Sequence, residues 1–307
     1  MVLVNVRIKR FSIIFDRILF EERNMFINLR KTLPSFVYQK LEKHKEKFEL
    51  SRIHKLNCDI SFLKDTKQKE LDDIFSSSSI ESEWIKESKE IDVLKITDRA
   101  HGVNYGDRRA LYYLIKYFNP HSVLEVGTHI GASTAHIALA LKKNGSSGRK
   151  LVSLDIYDVN ELNTKKYSDL GVTLSPMEMM RKIHCDSFVE FITCPSLEYM
   201  QKCDSKFDFI FLDGDHSAKT VYREIFHASR LLNKNGTILL HDYFPKLKPL
   251  WSNGNVVFGP YMAVHRLIRE GVSINVIPLG LLPWSTKMNS NRTSLALLSK
   301  NGQNNPF

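Results

Sequence analysis

Residues 122–133, Ser-Val-Leu-Glu-Val-Gly-Thr-His-Ile-Gly-Ala-Ser, restrict the folds open to this chain more than any other stretch. An apolar β-branched run that ends in an acid, with two glycines four apart behind it, reads as a buried strand, a tight turn and the start of a helix. Gly127 and Gly131 lack a Cβ, so the backbone can turn sharply and a ligand can approach it closely. The next helix opens with free N–H groups. Such a turn suits a nucleotide-type ligand lying across the carboxyl end of a parallel strand. The spacing is G-x-x-x-G with Glu125 ahead of it, and this departs from the G-x-G-x-x-G of a dinucleotide fingerprint.

From about residue 100 onward, apolar strands and helices alternate. Further strands are expected at 150–154, 189–193, 207–212 and 237–240, with helices at 105–118, 133–143, 176–184, 196–201, 219–232 and 262–269. Pro176 falls at a first helical position. Two last strands, 273–278 and 293–299, follow each other without a helix. The pattern predicts an α/β fold: a doubly wound, Rossmann-like, mainly parallel sheet of seven strands with one antiparallel edge strand.

At 307 residues and 43% hydrophobic content the chain can hold one such domain plus an N-terminal extension. Residues 1–99 are read as a helical extension or cap and 100–307 as the ligand-binding domain. Cys58, Cys185, Cys194 and Cys203 show neither C-x-x-C pairing nor a companion histidine spacing, so no zinc site or disulfide framework is indicated and a reducing cytoplasm fits. The formal charge of +10 is spread along the chain without an aromatic-interleaved basic cluster, which argues against nucleic acid as a partner. Residues 2–26 are interrupted by Arg7, Lys9, Arg10, Asp16 and Arg17, so no uncharged run approaches the roughly 20 residues that span a bilayer, and no secretory signal is visible. An ordinary packing helix is expected there, with an amphipathic surface helix that touches a membrane, or an upstream extension before a natural start at Met25, as the alternatives. Residues 40–69 mix both charge signs in helical fashion, and 76–79 read as a linker before a second charged helix. These elements are expected to cap the later domain or mediate homo-oligomer formation.

Two segments carry most of the chemistry: Phe-Asp-Phe-Ile-Phe-Leu-Asp-Gly-Asp-His at 207–216 and Asn-Gly-Thr-Ile-Leu-Leu-His-Asp-Tyr at 235–243. Both are apolar strands ending in a polar cluster, and adjacent parallel strands deliver their carboxyl ends to one crevice. Asp213, Asp215, His216, His241 and Asp242 are therefore expected to converge beside the glycine turn. Buried charge is costly without a purpose. The long segments 157–175 and 243–261, the latter with Pro245, Pro249, Trp251, Phe258 and Gly259, are placed to shape a pocket or lid.

The Glu-Val-Gly-Thr-His-Ile-Gly stretch, together with the D-G-D-H and H-D-Y clusters, resembles the class I S-adenosylmethionine-dependent methyltransferases. The resemblance extends to the subfamily with catechol-type and macrolide-sugar O-methyltransferases and covers residues from about 100 to 300. It implies S-adenosyl-L-methionine as cofactor, held by Glu125, Gly127, Thr128, Gly131, Ser133, Asp155, Ser196 and Asp213. Asp155, ending the second strand, would take the ribose hydroxyls. Ser196 would lie beside the adenine, with Asp186-Ser187 as a rival. Ser133 would hold the ligand carboxylate or act as a plain N-cap. Asp213 and Asp242 match the two aspartates that bind Mg²⁺ in metal-dependent relatives, but Tyr243 stands where catechol-type enzymes carry asparagine, so metal dependence stays open. His216 occupies the position of the catechol-type catalytic lysine and is expected to act as general base, with His241 as the second candidate and Asp242 beside it. The implied reaction is methyl transfer to a hydroxyl of a small molecule or a sugar or glycan precursor. Two alternatives are a binding module that has lost transfer and a nicotinamide-dependent oxidoreductase. His216 with Asp242 argues against the first, and the G-x-x-x-G spacing against the second.

Overall fold

A computed structural model describes residues 33–96, 102–145, 148–161 and 171–300. The expectations for residues 2–26 and for Met25 lie outside the described residues. The chain divides between Phe48 and Glu49 into two compact units. Helix α1 (Ser35–Ser51) supplies the described helical residues of the first unit.

The larger unit is built on a seven-stranded sheet: β1 (Ser122–Val126), β2 (Lys150–Asp155), β3 (Val189–Thr193), β4 (Phe207–Leu212), β5 (Leu232–Leu240), β6 (Ile274–Pro278) and β7 (Ala296–Lys300). Their order is β3-β2-β1-β4-β5-β7-β6. β1 to β5 run parallel, and β7 is antiparallel to both β5 and β6. The antiparallel strand thus sits one place in, with β6 outermost. Chain order reverses between β1 and β4, and at such a reversal the helices on either side leave a crevice at the strand ends.

Period-two alternation sends the strands to two cores. Val123, Leu151, Phe209, Phe211, Leu239 and Leu297 face one side, where they pack with α2 (Gln68–Phe75), α3 (Ser78–Asp92), α4 (Tyr105–Phe118), α5 (Ala132–Lys143) and α6 (Pro176–Lys182). Leu124, Val152, Leu154, Ile210, Leu212, Ile238 and Leu298 face the other, against α8 (Ala218–Arg230) and α9 (Gly259–Arg269). The short α7 (Ser196–Lys202) contributes Met200 to that second core.

The stretch 40–69 is not one helix. Between α1 and α2 the backbone pairs with the start of the β5 apolar run, the Lys64 N–H donating to the Gly236 carbonyl and the Gly236 N–H to that of Phe62. Those tertiary hydrogen bonds outweigh a helical charge pattern. Ser77, read as linker, is the N-cap of α3 and accepts from the Ile80 N–H. β5 begins at Leu232, earlier than its apolar run suggests, because its pairing with β4 extends past a register shift between Phe207 and Phe209. Among the described residues no helix is long and apolar enough to cross a membrane, and all four cysteines are free.

Candidate active site

The parallel ladder continues past the ends of the strands and fixes the rim of the crevice. The Gly127 N–H donates to the Leu154 carbonyl, the Asp213 N–H to Val126 and the His241 N–H to Leu212. Four consecutive strand ends are thereby locked level with one another. Gly127 has φ +96° and lies against β4's exit so closely that a Cβ on it would stand 2.2 Å from the Asp213 carbonyl oxygen. Gly131, at φ +77°, faces the ring of Pro176. Both glycines are required by backbone conformation and by space.

Glu125 is wholly buried and turned inward. Its carboxylate accepts from the Ser133, Thr134 and Ser153 hydroxyls at 2.5, 2.6 and 2.6 Å, and Thr128 Oγ1 lies 2.7 Å from Ser153 Oγ. Burial pushes its pKa up to about 7, with the three hydroxyls working the other way. Glu125, Ser133 and the Thr128 side chain therefore brace the turn from below. Asp155 lies at the turn itself, where Oδ2 accepts from the His129 N–H at 2.9 Å and Oδ1 from the Tyr157 N–H at 3.1 Å. A carboxylate has about four lone-pair sites, so acceptor capacity remains for a ligand's hydroxyls. Ser196, at the start of α7, donates to the buried Glu224 at 2.5 Å, and burial raises the Glu224 pKa to about 7.

Beyond β4 and β5, Asp213, His216, His241 and Asp242 converge. His241 Nδ1 lies 2.7 Å from Asp213 Oδ1, an ionic contact and not an aligned hydrogen bond, and 3.7 Å from Asp242 Oδ1. His216 Nε2 lies 3.6 Å from Asp242 Oδ2 and 3.9 Å from Asp213 Oδ1. Burial acts against a charge on His241, but Asp213, Asp242 and Asp107 outweigh it and raise the pKa well above the ordinary imidazole value. For Asp242, burial acts upward and is more than offset by His241, His216 and Lys287, which leaves its pKa below the usual carboxylate value. Asp242 has φ +52°, a left-handed backbone that turns its carboxylate back toward the rim, and it accepts from the Ser294 hydroxyl at 3.2 Å.

Asp215 does not join this cluster. It braces the turn ahead of α8, accepting from the N–H of the N-cap Ser217 at 2.9 Å and from the Ser217 and Thr220 hydroxyls. In D-G-D-H the second acid holds the turn that leads into the next helix, and only the first acid and the histidine face the crevice.

Asp213 and Asp242 lack, among the described residues, a third oxygen ligand beside them for a divalent cation. Asp213 is engaged by His241 and Asp242 by Ser294, while the buried Tyr243, in the place of a third oxygen ligand, directs its hydroxyl to His265 Nε2 at 3.3 Å. Among the described residues no group of three or more His, Cys, Asp and Glu is arranged to hold a metal ion.

Sequence reasoning missed Asp107 and Ser153. Asp107, in the first turn of α4, is fully buried with Oδ2 3.4 Å from His241 Nε2. Its only signal is an Asn-x-x-Asp start to a helix, which reads as a cap. Ser153 was visible as a lone hydroxyl in an otherwise apolar strand.

The glycine turn, Asp155 and the Asp213–Asp242 cluster thus share one rim. Residues 124–243 match the family model described as a methyltransferase domain. A caffeoyl-CoA O-methyltransferase from Zinnia elegans is 30% identical over 152 residues, 48% of this chain and 52% of that protein. The chain therefore spans about half the length of the curated relative it matches. Among solved structures, an O-methyltransferase from Bacillus cereus in complex with SAH aligns with TM-score 0.48 at 20% identity, over 76% of this chain and 96% of that one. The O-methyltransferase TomG from Streptomyces achromogenes, involved in tomaymycin synthesis and in complex with SAM, aligns with TM-score 0.47 at 15% identity, over 74% and 92%.

Proposed function

We propose that residues 100–307 transfer the methyl group of S-adenosylmethionine to a hydroxyl of a small molecule, and do so without a resident divalent metal. The observation that carries this reading is the division of labour between two histidines at one rim. His216 is the more open, with 36% of its side chain exposed, and is backed by Asp242. His241 is buried, with a carboxylate at each ring nitrogen.

The bound cofactor supplies an activated sulfonium methyl. The turn from Gly127 to Gly131 and the start of α5 offer backbone N–H groups to it, and Asp155 accepts from its ribose hydroxyls. Glu125 keeps the turn in shape without touching the ligand. His216 Nε2 takes the acceptor's hydroxyl proton as the oxygen attacks in line, and Asp242 stabilises the imidazolium so formed. His241 holds Asp213 and Asp242 in place. Phe244, Trp251, Val256 and Phe258, in the segment that follows β5, pack into a buried apolar cluster of their own, and aromatic side chains in that segment favour a ring-bearing acceptor over a bare sugar.

The test is titration calorimetry with S-adenosylhomocysteine and with NAD, followed by transfer of labelled methyl from S-adenosylmethionine to a panel of catechols, simple phenols and hydroxylated sugars in the presence of EDTA. Binding of S-adenosylhomocysteine alone, with EDTA-resistant turnover of a phenol or catechol, is expected. NAD binding, or turnover that EDTA abolishes and Mg²⁺ restores, would defeat the reading.

A further inference from the structure

The cluster at the ends of β4 and β5 accounts for one side of the His241 ring and leaves the other to a residue from a different part of the chain. Asp107 lies on α4, before β1, yet its Oδ2 is 3.4 Å from His241 Nε2. A carboxylate buried this completely is costly unless something opposes its charge. Its hydrogen-bond partner among side chains of its own helix start is neutral: Asn104 Nδ2 donates to the same Oδ2 at 2.6 Å. Oδ1 has no hydrogen-bond partner among the described residues. The imidazole of His241 lies within ion-pair distance of the carboxylate and can oppose its charge.

Asp107 is also held unusually firmly. Its own N–H donates to Asn104 Oδ1 at 3.1 Å, closing the start of α4. The neighbouring Gly106 carbonyl accepts from Trp284 Nε1 at 2.9 Å, and a Cβ on Gly106 would meet the Ser285 carbonyl oxygen at 2.5 Å. Helix α4 is therefore pinned at its first turn to the loop between β6 and β7. A ring nitrogen that faces a fixed carboxylate keeps one orientation and one protonation pattern.

We propose that Asp107 is a positioning residue: by fixing His241 from the side opposite Asp213, it sets where Asp213 and Asp242 stand relative to His216. The proposal rests on the reading of this cluster as the transfer site. No contact between Asp107 and either substrate is involved, so its loss acts on turnover and not on binding.

The experiment compares wild type with Asp107→Asn as full-length protein labelled with ¹⁵N-histidine. Long-range ¹⁵N–¹H spectra report the His241 ring nitrogens, assigned by their absence in His241→Asn. The His241 signals are expected to move in Asp107→Asn, and those of His216 with them, while those of the other nine histidines stay. With S-adenosylmethionine and whichever panel acceptor turns over, kcat is expected to fall by about tenfold to about a hundredfold, with acceptor KM and S-adenosylhomocysteine Kd within twofold. In a His241→Asn background, Asp107→Asn should have no further effect on kcat. Unmoved His241 signals, or an Asp107→Asn effect that persists without His241, would overturn the proposal. If Asp107→Asn does not fold, Asn104→Ala, which keeps the charge and frees the carboxylate, must give the same pattern. The ring signals need no acceptor, so they decide even where the panel shows no turnover. Failure to bind S-adenosylhomocysteine would instead sink the functional reading and leave the ring measurement valid.

Discussion

Gly127 and Asp213 are joined by contact at the backbone: the glycine's missing Cβ is what lets the turn after β1 sit against the Asp213 carbonyl. The glycine turn and the first acid of the rim cluster are consequently one packed unit. Gly127→Ala combines a left-handed φ with a collision against main chain, and roughly 2–4 kcal/mol of stability should be lost together with S-adenosylhomocysteine binding. Gly145→Ala is the comparison, since φ there is +68° but nothing among the described residues lies within 4 Å of the added carbon. It should cost only about 1–2 kcal/mol, the price of the conformation alone. Urea unfolding of both variants tests the difference.

Ser133 distinguishes bracing from ligand contact. Its hydroxyl is one of three that neutralise the buried Glu125. Ser133→Ala should lower stability by about 1–3 kcal/mol, because a buried acceptor loses a donor. The Kd for S-adenosylhomocysteine should stay within about threefold. A large loss of affinity at unchanged stability would return Ser133 to the ligand.

For the proton acceptor, His216→Ala and Asp242→Asn should each reduce kcat by about a hundredfold or more while cofactor binding persists. Gly259 adds an indirect route to the same end. A Cβ there would stand 1.8 Å from the His216 carbonyl oxygen, so Gly259→Ala must push the D-G-D-H loop away. Its effect should fall on kcat before KM in steady-state kinetics with the panel acceptor.

Glu125 and Glu224 give the fold a pH dependence. Both are raised from 4.5 to about 7, chiefly by burial. Between those values the native state holds protons that the unfolded chain has released, so stability is fully present below about pH 4.5 and declines as pH rises through 7. The slope should approach about 1.4 kcal/mol per pH unit for each group. The imidazoles of His136, His227 and His265, held below their ordinary value chiefly by burial, add a slope of opposite sign below about pH 6.5, so the test is the difference between wild type and Glu224→Gln in urea unfolding at pH 5, 6, 7 and 8. An unchanged slope in Glu224→Gln would refute the assignment.

Much of this was legible in the chain because strand period and turn chemistry are local. The apolar runs at 207–212 and 237–240 had to end in their acids and imidazoles, and parallel neighbours had to bring those ends together. Less legible were contacts that join distant segments. Nothing near Asp107 announces a histidine 134 positions away. The inward turn of Glu125 depends on Ser153 from β2, and the role of Asp215 depends on where α8 starts. Residues 52–67 left their helical pattern for the sake of hydrogen bonds of Phe62 and Lys64 with the distant Gly236 that no local rule contains.

The pairing of Pro278 with Ala296 has a last consequence. The excursion from 279 to 295 continues that pairing, with Leu279 bonded to Leu295 and Leu281 opposite Arg292, and sets Trp284 on Tyr113. Lengthening a loop costs about 0.6 kcal/mol for each doubling. Insertions at the tip, near Met288 and Asn289, should therefore leave the register of β7 against β5 intact, whereas those beside Trp284 would loosen the start of α4.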